Sequence, residues 1–351
     1  MKVIKKNAAI FITLSMLLCV FSFNAVAQSD TIVVKMANYN VAGMPKFDGT
    51  DGAANHRLIA DYITENGFDV VAVQEDFAYN NALVGGLDGF DYFTNHFGSI
   101  PGGDGLNVFS DGMAIYNEER HPWKDAFGDI SEGDILTPKG LLYTVIEVAD
   151  GVYVDFYNIH ADAFDTLGSV LARRSNYEQV ADMIEENSRK NNRPVIVTGD
   201  FNSFFHVSPE IDSKMYEIFY ERCGMKDAWV ELCNDGDYHN FSQWDHTADA
   251  YWGTWDSVEK FLYRDGGGVT VKPTEFKHTW IKNEEGISVS DHAMAECVFE
   301  FTVTEDFVET TQELEVVKVS PFRNFLNTIK WIFKDLIYIF SNIDELIEFI
   351  K

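Results

Sequence analysis

Seven polar residues close short apolar runs in this chain: Asn40, Glu75, His160, Asp200, Asn202, Asp291 and His292. The runs end in Tyr39-Asn40, Val73-Gln74-Glu75, Asn158-Ile159-His160, Gly199-Asp200-Phe201-Asn202 and Ser290-Asp291-His292. Strand C-termini on one edge of a sheet converge in space, and ligand sites collect there. Carboxylate oxygens are hard donors that suit Mg²⁺, which takes oxygen ligands and keeps several waters. Asn amides and an imidazole can hold phosphate oxygens as negative charge builds on them. A second imidazole paired with a carboxylate can take a proton from water. Together the set suits phosphoryl transfer. Taken singly, each residue has an ordinary explanation, such as a solvated Glu at a strand end or a His satisfied in the core. The reading rests on their order and on two tight runs, GDFN at 199–202 and SDH at 290–292.

Such residues need a scaffold of alternating strands and helices. Residues 31–40 are β-branched and apolar and read as a first strand. Leu58, Ile59, Tyr62 and Ile63 have helical spacing, and Gly67 ends that helix. Asp69 to Val73 is a short buried strand, and the Gly-rich stretch 85–112 reads as loop. Residues 141–148 and 152–159 form a hairpin around Asp150-Gly151. A helix over 169–190 stops before Arg193-Pro194, and Val195 to Thr198 is a buried strand. Residues 234–257 read as a long polar and aromatic loop, with strands following at 259–263, 269–276 and 294–303. Alternation of strands and helices with neighbouring strand pairs predicts an α/β sandwich.

The order of these motifs resembles the endonuclease/exonuclease/phosphatase superfamily, with its DNase-I-like fold, over about residues 31–303. YNVAG at 39–43, VVAVQE at 70–75, NIHADA at 158–163, VIVTGDFNS at 195–203 and VSDH at 289–292 carry the resemblance. It implies a four-layered α/β sandwich, two packed mixed sheets flanked by helices. It also implies a phosphodiesterase that uses Mg²⁺, with Mn²⁺ as the alternative ion, for in-line attack of water without a covalent enzyme intermediate. On that resemblance Glu75 is the principal metal ligand, with Asn40 beside it at metal or phosphate and Asp291 near the metal. Asp200 orients or activates the attacking water. Asn202 holds a phosphate oxygen, His160 stabilises the pentacovalent transition state, and His292 is general base or acid. Members of the family commonly support the last His with an Asp. The matching stretch here is Glu259-Lys260-Phe261-Leu262, so the longer Glu259 must reach His292.

The family cuts DNA, RNA, phospholipids and phosphoinositides, so the fold alone leaves the substrate open. Charge narrows it. The chain of 351 residues has 27 Lys and Arg against 56 Asp and Glu, a net charge of −29. Such a surface repels a polyanion at long range, the opposite of what non-specific nucleic-acid binding uses. GDGLNVFS at 103–110, PKGLLY at 138–143 and the His160-x-x-Ala163 spacing are similar to secreted sphingomyelinase-type phospholipases C. Phe204-Phe205 and Trp244, Tyr251, Trp252 and Trp255 are aromatics that could meet a bilayer. The lead expectation is therefore a phospholipid substrate, with a secreted nuclease or a phosphomonoesterase as the alternatives. The 46% hydrophobic and 24% charged composition excludes a disordered or fibrous chain.

The termini carry further signals. Lys2, Lys5 and Lys6 precede an apolar stretch from Ala8 to Phe23 and the small-x-small site Ala25-Val26-Ala27, so 1–27 reads as a signal peptide and the protein as exported. The catalytic domain is expected over 28–303, an acidic linker over 304–319 and an amphipathic helical tail over 320–351. In the tail Phe325, Ile329, Ile332, Leu336, Ile339, Ile343, Leu346 and Ile350 follow alternating spacings of four and three, a heptad seam. Three readings stand for it: docking on its own domain, self-association, or contact with a membrane surface. Cys223, Cys233 and Cys297 lack metal-ligand spacing, and a Cys223–Cys233 disulfide and free thiols are both open.

Overall fold

The computed structural model describes residues 31–98, 103–125, 128, 139–205, 207–209, 211–239, 256–308 and 312–320, with positions 325, 326, 329 and 333 of the tail. The signal segment 1–27, the aromatics Trp244, Tyr251, Trp252 and Trp255 and most of the tail lie outside the described residues.

Among the described residues, twelve strands form two six-stranded mixed sheets. The first sheet contains β1 (Thr31–Asn40), β2 (Val70–Gln74), β3 (Tyr92–Phe93), β4 (Asn107–Ser110), β11 (Val269–Thr279) and β12 (Met294–Val303), in the order β11-β12-β1-β2-β4-β3. The second contains β5 (Ile115–Pro122), β6 (Gly140–Ala149), β7 (Val152–His160), β8 (Val195–Asp200), β9 (Lys226–Asp227) and β10 (Glu259–Arg264), in the order β5-β6-β7-β8-β10-β9. Helix α1 (Gly52–Glu65) covers the first sheet, and a short α2 (Asn80–Val84) lies beside it. Helix α3 (Leu167–Met183) covers the second, and α4 (Ala228–Cys233) packs against β10 and β11. The result is helix, sheet, sheet, helix: the four-layered sandwich that the family resemblance implied.

Side chains alternate between the two faces of a strand, and that alternation builds the core. Val34 and Met36 of β1, Val70 and Ala72 of β2, Phe156 of β7, Ile196 of β8 and Phe261 of β10 meet between the sheets. The opposite face of the first sheet, with Tyr39, Val71 and Val73, packs on Ile59, Ala60 and Ile63 of α1. The opposite face of the second, with Tyr157, Val195 and Val197, packs on Tyr177, Val180 and Ala181 of α3. Continuing the inward register past the last apolar residue gives Asn38 and Asn40, Gln74, Asn158 and His160, Thr198 and Asp200, and Glu259. The sandwich thus becomes polar at one edge.

Both helices start on side-chain caps, as their sequences dictate. Asp51 accepts from Ala54 N at 2.9 Å, and Thr166 accepts from Ser169 N at 3.3 Å. Helix α3 widens into a π turn at Ile184–Ser188 and runs on to Asn191, where Asn192, in the left-handed region at φ 53°, ends it before Arg193-Pro194.

The structure departs from the sequence expectation at 85–112. That stretch holds β3 and β4, and β4 pairs antiparallel with β2. Its four residues, Asn107 to Ser110, are polar at both ends, so the pattern carries no strand signature. The edge strand β5 was also hidden, because a bulge between Tyr116 and Glu119 breaks its alternation. All three described cysteines are free thiols, Cys223 and Cys297 buried. Within the stretch expected as a linker, residues 312–320 lie along β5: Val317 N donates to Ile115 O at 2.8 Å and Asn117 N to Glu315 O at 3.1 Å. No helix among the described residues is long and apolar enough to cross a membrane.

Candidate active site

Two parallel pairs and one antiparallel pair set the site. Asn40 stands opposite Gln74 in β1–β2, His160 opposite Asp200 in β7–β8, and Glu259 opposite Asp200 in β10–β8. Gly199 permits the closest approach. It sits opposite Ile159, and a Cβ there would lie 2.0 Å from Ile159 O.

Asn40 and Asp200 are the hub. Asn40 Nδ2 donates to Glu75 Oε1 and to Asp200 Oδ2, each at 3.1 Å, and lies 3.4 Å from His292 Nε2. Asp200 Oδ2 also faces His160 Nε2 at 3.5 Å and His292 Nε2 at 3.9 Å, while Asp200 Oδ1 accepts from Asn202 N at 2.9 Å. His292 Nδ1 and Glu259 Oε1 share a short hydrogen bond, and the other Glu259 oxygen accepts from Ser257 Oγ. The longer carboxylate therefore reaches the histidine. Asn202 Nδ2 ties back to Ala161 O at 2.9 Å. The structure brings Asn40, Glu75, His160, Asp200, Asn202, Glu259 and His292 together. Asp291 stays at the rim: its side chain is 80% exposed and 4.0 Å from His292 Nε2.

Burial and charge tune these groups in different directions. Burial opposes charge on His292, but Glu259 and Asp200 outweigh it and push the imidazole up to about 10. Glu259 is held below the ordinary carboxylate value despite its burial, by the His292 charge and hydrogen bond. Burial pushes Asp200 up to about 6, the His292 charge pulling against it and Glu259 adding to it. Burial, with the charges of Lys139 and His292, holds His160 well below the ordinary imidazole value. At neutral pH one imidazole is thus charged and the other neutral.

Sequence reasoning did not single out the groups that hold this edge. Gln74 Nε2 donates to Asn38 Oδ1 at 2.8 Å and to Asn158 Oδ1 at 2.7 Å, bridging the sheets. Asn158 Nδ2 donates to Val73 O and Asn107 O, and Asn38 Nδ2 to Gly199 O at 2.9 Å. Ser290 Oγ donates to Asn40 O at 2.7 Å. The one signal of Asn38, Gln74 and Asn158 was an amide on the inward register of an apolar strand, whereas Ser290 lies in the bend before β12, not at a strand end as expected. Glu75 and Asn202 adopt left-handed backbone, at φ 54° and 50°. Non-glycine residues in that region cluster at functional sites, where surrounding contacts hold the strain.

The donor set fits a divalent cation. Glu75, Asp200, Glu259 and Asp291 crowd one edge, and Glu75 offers carboxylate oxygen of the kind Mg²⁺ takes, while Asn40 turns its amide nitrogen to the site and its Oδ1 to Ala42 N at 3.1 Å. Asp200, Glu259 and His292 also place one ligand atom each within 4.8 Å of one another, though His292 and Glu259 already share a proton there. Beside Asn202 a cavity of about 680 Å³ opens, lined by Ser203, Phe204, Phe164, Asp165 and Val258 among others. Phe205 does not face it as a free aromatic: its ring packs on Tyr238 and under the Lys260 ammonium.

Sphingomyelinases of Mycobacterium bovis and Mycobacterium tuberculosis are 28% identical over 276 residues, 76% of this chain and 52% of theirs. The chain spans about half the length of these curated relatives. Among solved structures, D. rerio TDP2 complexed with single-strand DNA product has a TM-score of 0.58 at 18% identity, covering 76% of this chain and 98% of that one. Sphingomyelinase C from Streptomyces griseocarneus has 0.53 at 20% identity, covering 78% and 99%. Likeness at this level shows the shared fold. With the family model for endonuclease/exonuclease/phosphatase matching residues 37–257, across β1 to the approach to β10, the chain belongs to that family.

Proposed function

We propose that this protein is a Mg²⁺-dependent phosphodiesterase that cleaves a phospholipid on its phosphate, in the manner of a sphingomyelinase or phospholipase C. The observation that carries the proposal is the Glu259–His292–Asp200 relay facing the Asn40–Glu75 pair at one polar edge. Similarity to the mycobacterial sphingomyelinases supports the lipid, as does a cavity with Phe164 and Phe204 on its walls. Export through 1–27 belongs to the same proposal.

Glu75 would hold the ion, which supplies positive charge against the phosphate oxygens when bound, with the Asn40 amide beside it on the phosphate side. This chain's residues do the rest. Asn202 and His160 donate to phosphoryl oxygens, and neutral His160 does so without needing to change charge. Ionised Asp200 takes the proton as water attacks phosphorus in line, the bond to the leaving oxygen breaks, and that oxygen takes a proton from charged His292. His292, fixed by Glu259, stabilises that carboxylate and holds the proton relay in register.

The test is phosphocholine release from sphingomyelin and phosphatidylcholine vesicles, with Mg²⁺ and with EDTA. Release that EDTA abolishes is the expected result. A folded protein that releases nothing but nicks plasmid, or hydrolyses a phosphomonoester, would overturn the lipid assignment.

A further inference from the structure

The Glu75 turn is held from outside by a cage, and the last bars of that cage come from the C-terminal segment. At φ 54° Glu75 keeps its backbone only because its surroundings over-determine it. Two loops do this. Gly105 O accepts from Asp76 N at 2.9 Å, and Gly105 N donates to Phe97 O at 3.0 Å. His96 Nε2 donates to Asp76 O at 2.8 Å. Gly105, at φ 64°, has no room for a side chain: a Cβ would sit 2.8 Å from the Phe77 ring and 3.1 Å from Glu75 Cα.

Buried charge clamps both loops. Arg120 Nη1 donates to Asp104 Oδ1 at 2.6 Å and Leu106 O at 2.9 Å, its Nε to Glu118 Oε1 at 2.9 Å, and its Nη2 to Asn95 O. Asn95, wholly buried, donates from N and Nδ2 to Glu118 Oε2. The same amide then faces the C-terminal segment. Its Nδ2 donates to Lys318 O at 3.3 Å, and its Oδ1 accepts from Ser320 N. The ladder to β5 fixes that segment upstream, and Val317 packs on the core between the sheets.

We propose that residues 312–320 are a clip that positions Glu75 for its metal, with Asn95 the positioning residue through which the clip acts. The inference rests on Glu75 being the metal-binding carboxylate. Without the clip, Asn95 Oδ1 loses its donor, the loop at 94–97 loosens, and the hold of His96 on Asp76 weakens with it. Glu75 can then leave the left-handed region in which it faces Asn40.

The experiment is Mn²⁺ titration of the full chain, with free ion read by electron paramagnetic resonance, for wild type, Glu75→Gln, Asn95→Ala and Ser320→Pro. Ser320→Pro removes the N–H to Asn95, with the seryl hydroxyl, and leaves the buried Asn95 in place, so it decides the matter if Asn95→Ala does not fold. The expected result is Mn²⁺ affinity about fivefold weaker in Ser320→Pro, the factor one ordinary lost hydrogen bond gives. Circular dichroism should be unchanged and activity recovered at saturating ion, which a merely structural defect would not show. If wild type and Glu75→Gln bind equally, the assignment of Glu75 fails and the clip's role falls with it. If binding depends on Glu75 but Ser320→Pro matches wild type, the clip alone is overturned.

Discussion

At the residue scale, His292 keeps its proton because two carboxylates hold it there, and this makes two predictions. Glu259→Gln retains the size and one hydrogen bond but removes the charge. The His292 imidazole should fall from about 10 toward its ordinary value, and kcat should drop by about 10²-fold or more. NMR titration of the imidazole together with a pH–rate profile checks both, and an unmoved titration would mean that Asp200 alone sets the value. The second prediction concerns stability. The folded value of His292 lies above its unfolded value of 6.5, so its contribution is complete below 6.5 and is lost as pH rises through about 10. The melting temperature of the metal-free protein should fall across that window, and His292→Ala should flatten the slope. The pair was legible only in part beforehand. Glu259 and His292 sit 33 residues apart in sequence and could be matched through the resemblance. Ser257, which holds the second Glu259 oxygen, carried no pattern, because a serine before a strand is ordinary in any chain.

At the scale of elements, the edge is riveted by three buried amides rather than by apolar packing. Asn158 Nδ2 ties to Val73 O and Asn107 O, and Asn158 Oδ1 takes Gln74 Nε2, so one side chain joins β7 to β2 and β4. Replacing it with leucine leaves those groups buried without their partner, at about 1–3 kcal/mol for each such group. Asn158→Leu should therefore lower stability by roughly 3 kcal/mol or more, measured by urea unfolding. Gln74→Leu should cost a comparable amount, and the double variant less than the sum, because the two share one bond. Strict additivity would show that the amides act independently. The long strands β1, β7 and β12 were readable from sequence because each is a run of β-branched and apolar residues. The amides within them looked like interruptions of that pattern. Strands β3 to β5 were not readable, since two are very short and the third is broken by its bulge. The stretch that holds 312–320 looked like a linker because its acidic residues face water. Only Leu314 and Val317, three residues apart, meet the cores, one on each side of the second sheet.

For the whole molecule, the fold is shared with proteins whose names point to quite different substrates, so selection among phosphodiesters must draw on the surface as well as the site. The surface here is strongly anionic, at a net charge of −29. Its field reaches about 30 Å at 0.01 M salt and only about 8 Å at 0.15 M. A zwitterionic bilayer presents no net charge for that field to act on, whereas an anionic bilayer repels the enzyme before any contact forms. On the lipid reading, hydrolysis of sphingomyelin in pure zwitterionic vesicles should exceed hydrolysis of the same lipid diluted equally into anionic vesicles. The gap should be widest at low salt and close as salt rises, through KM far more than kcat, because the repulsion acts on encounter and not on the bond broken. Anionic vesicles hydrolysed faster at low salt would contradict this account and would require a local cationic face that overrides the field of the whole.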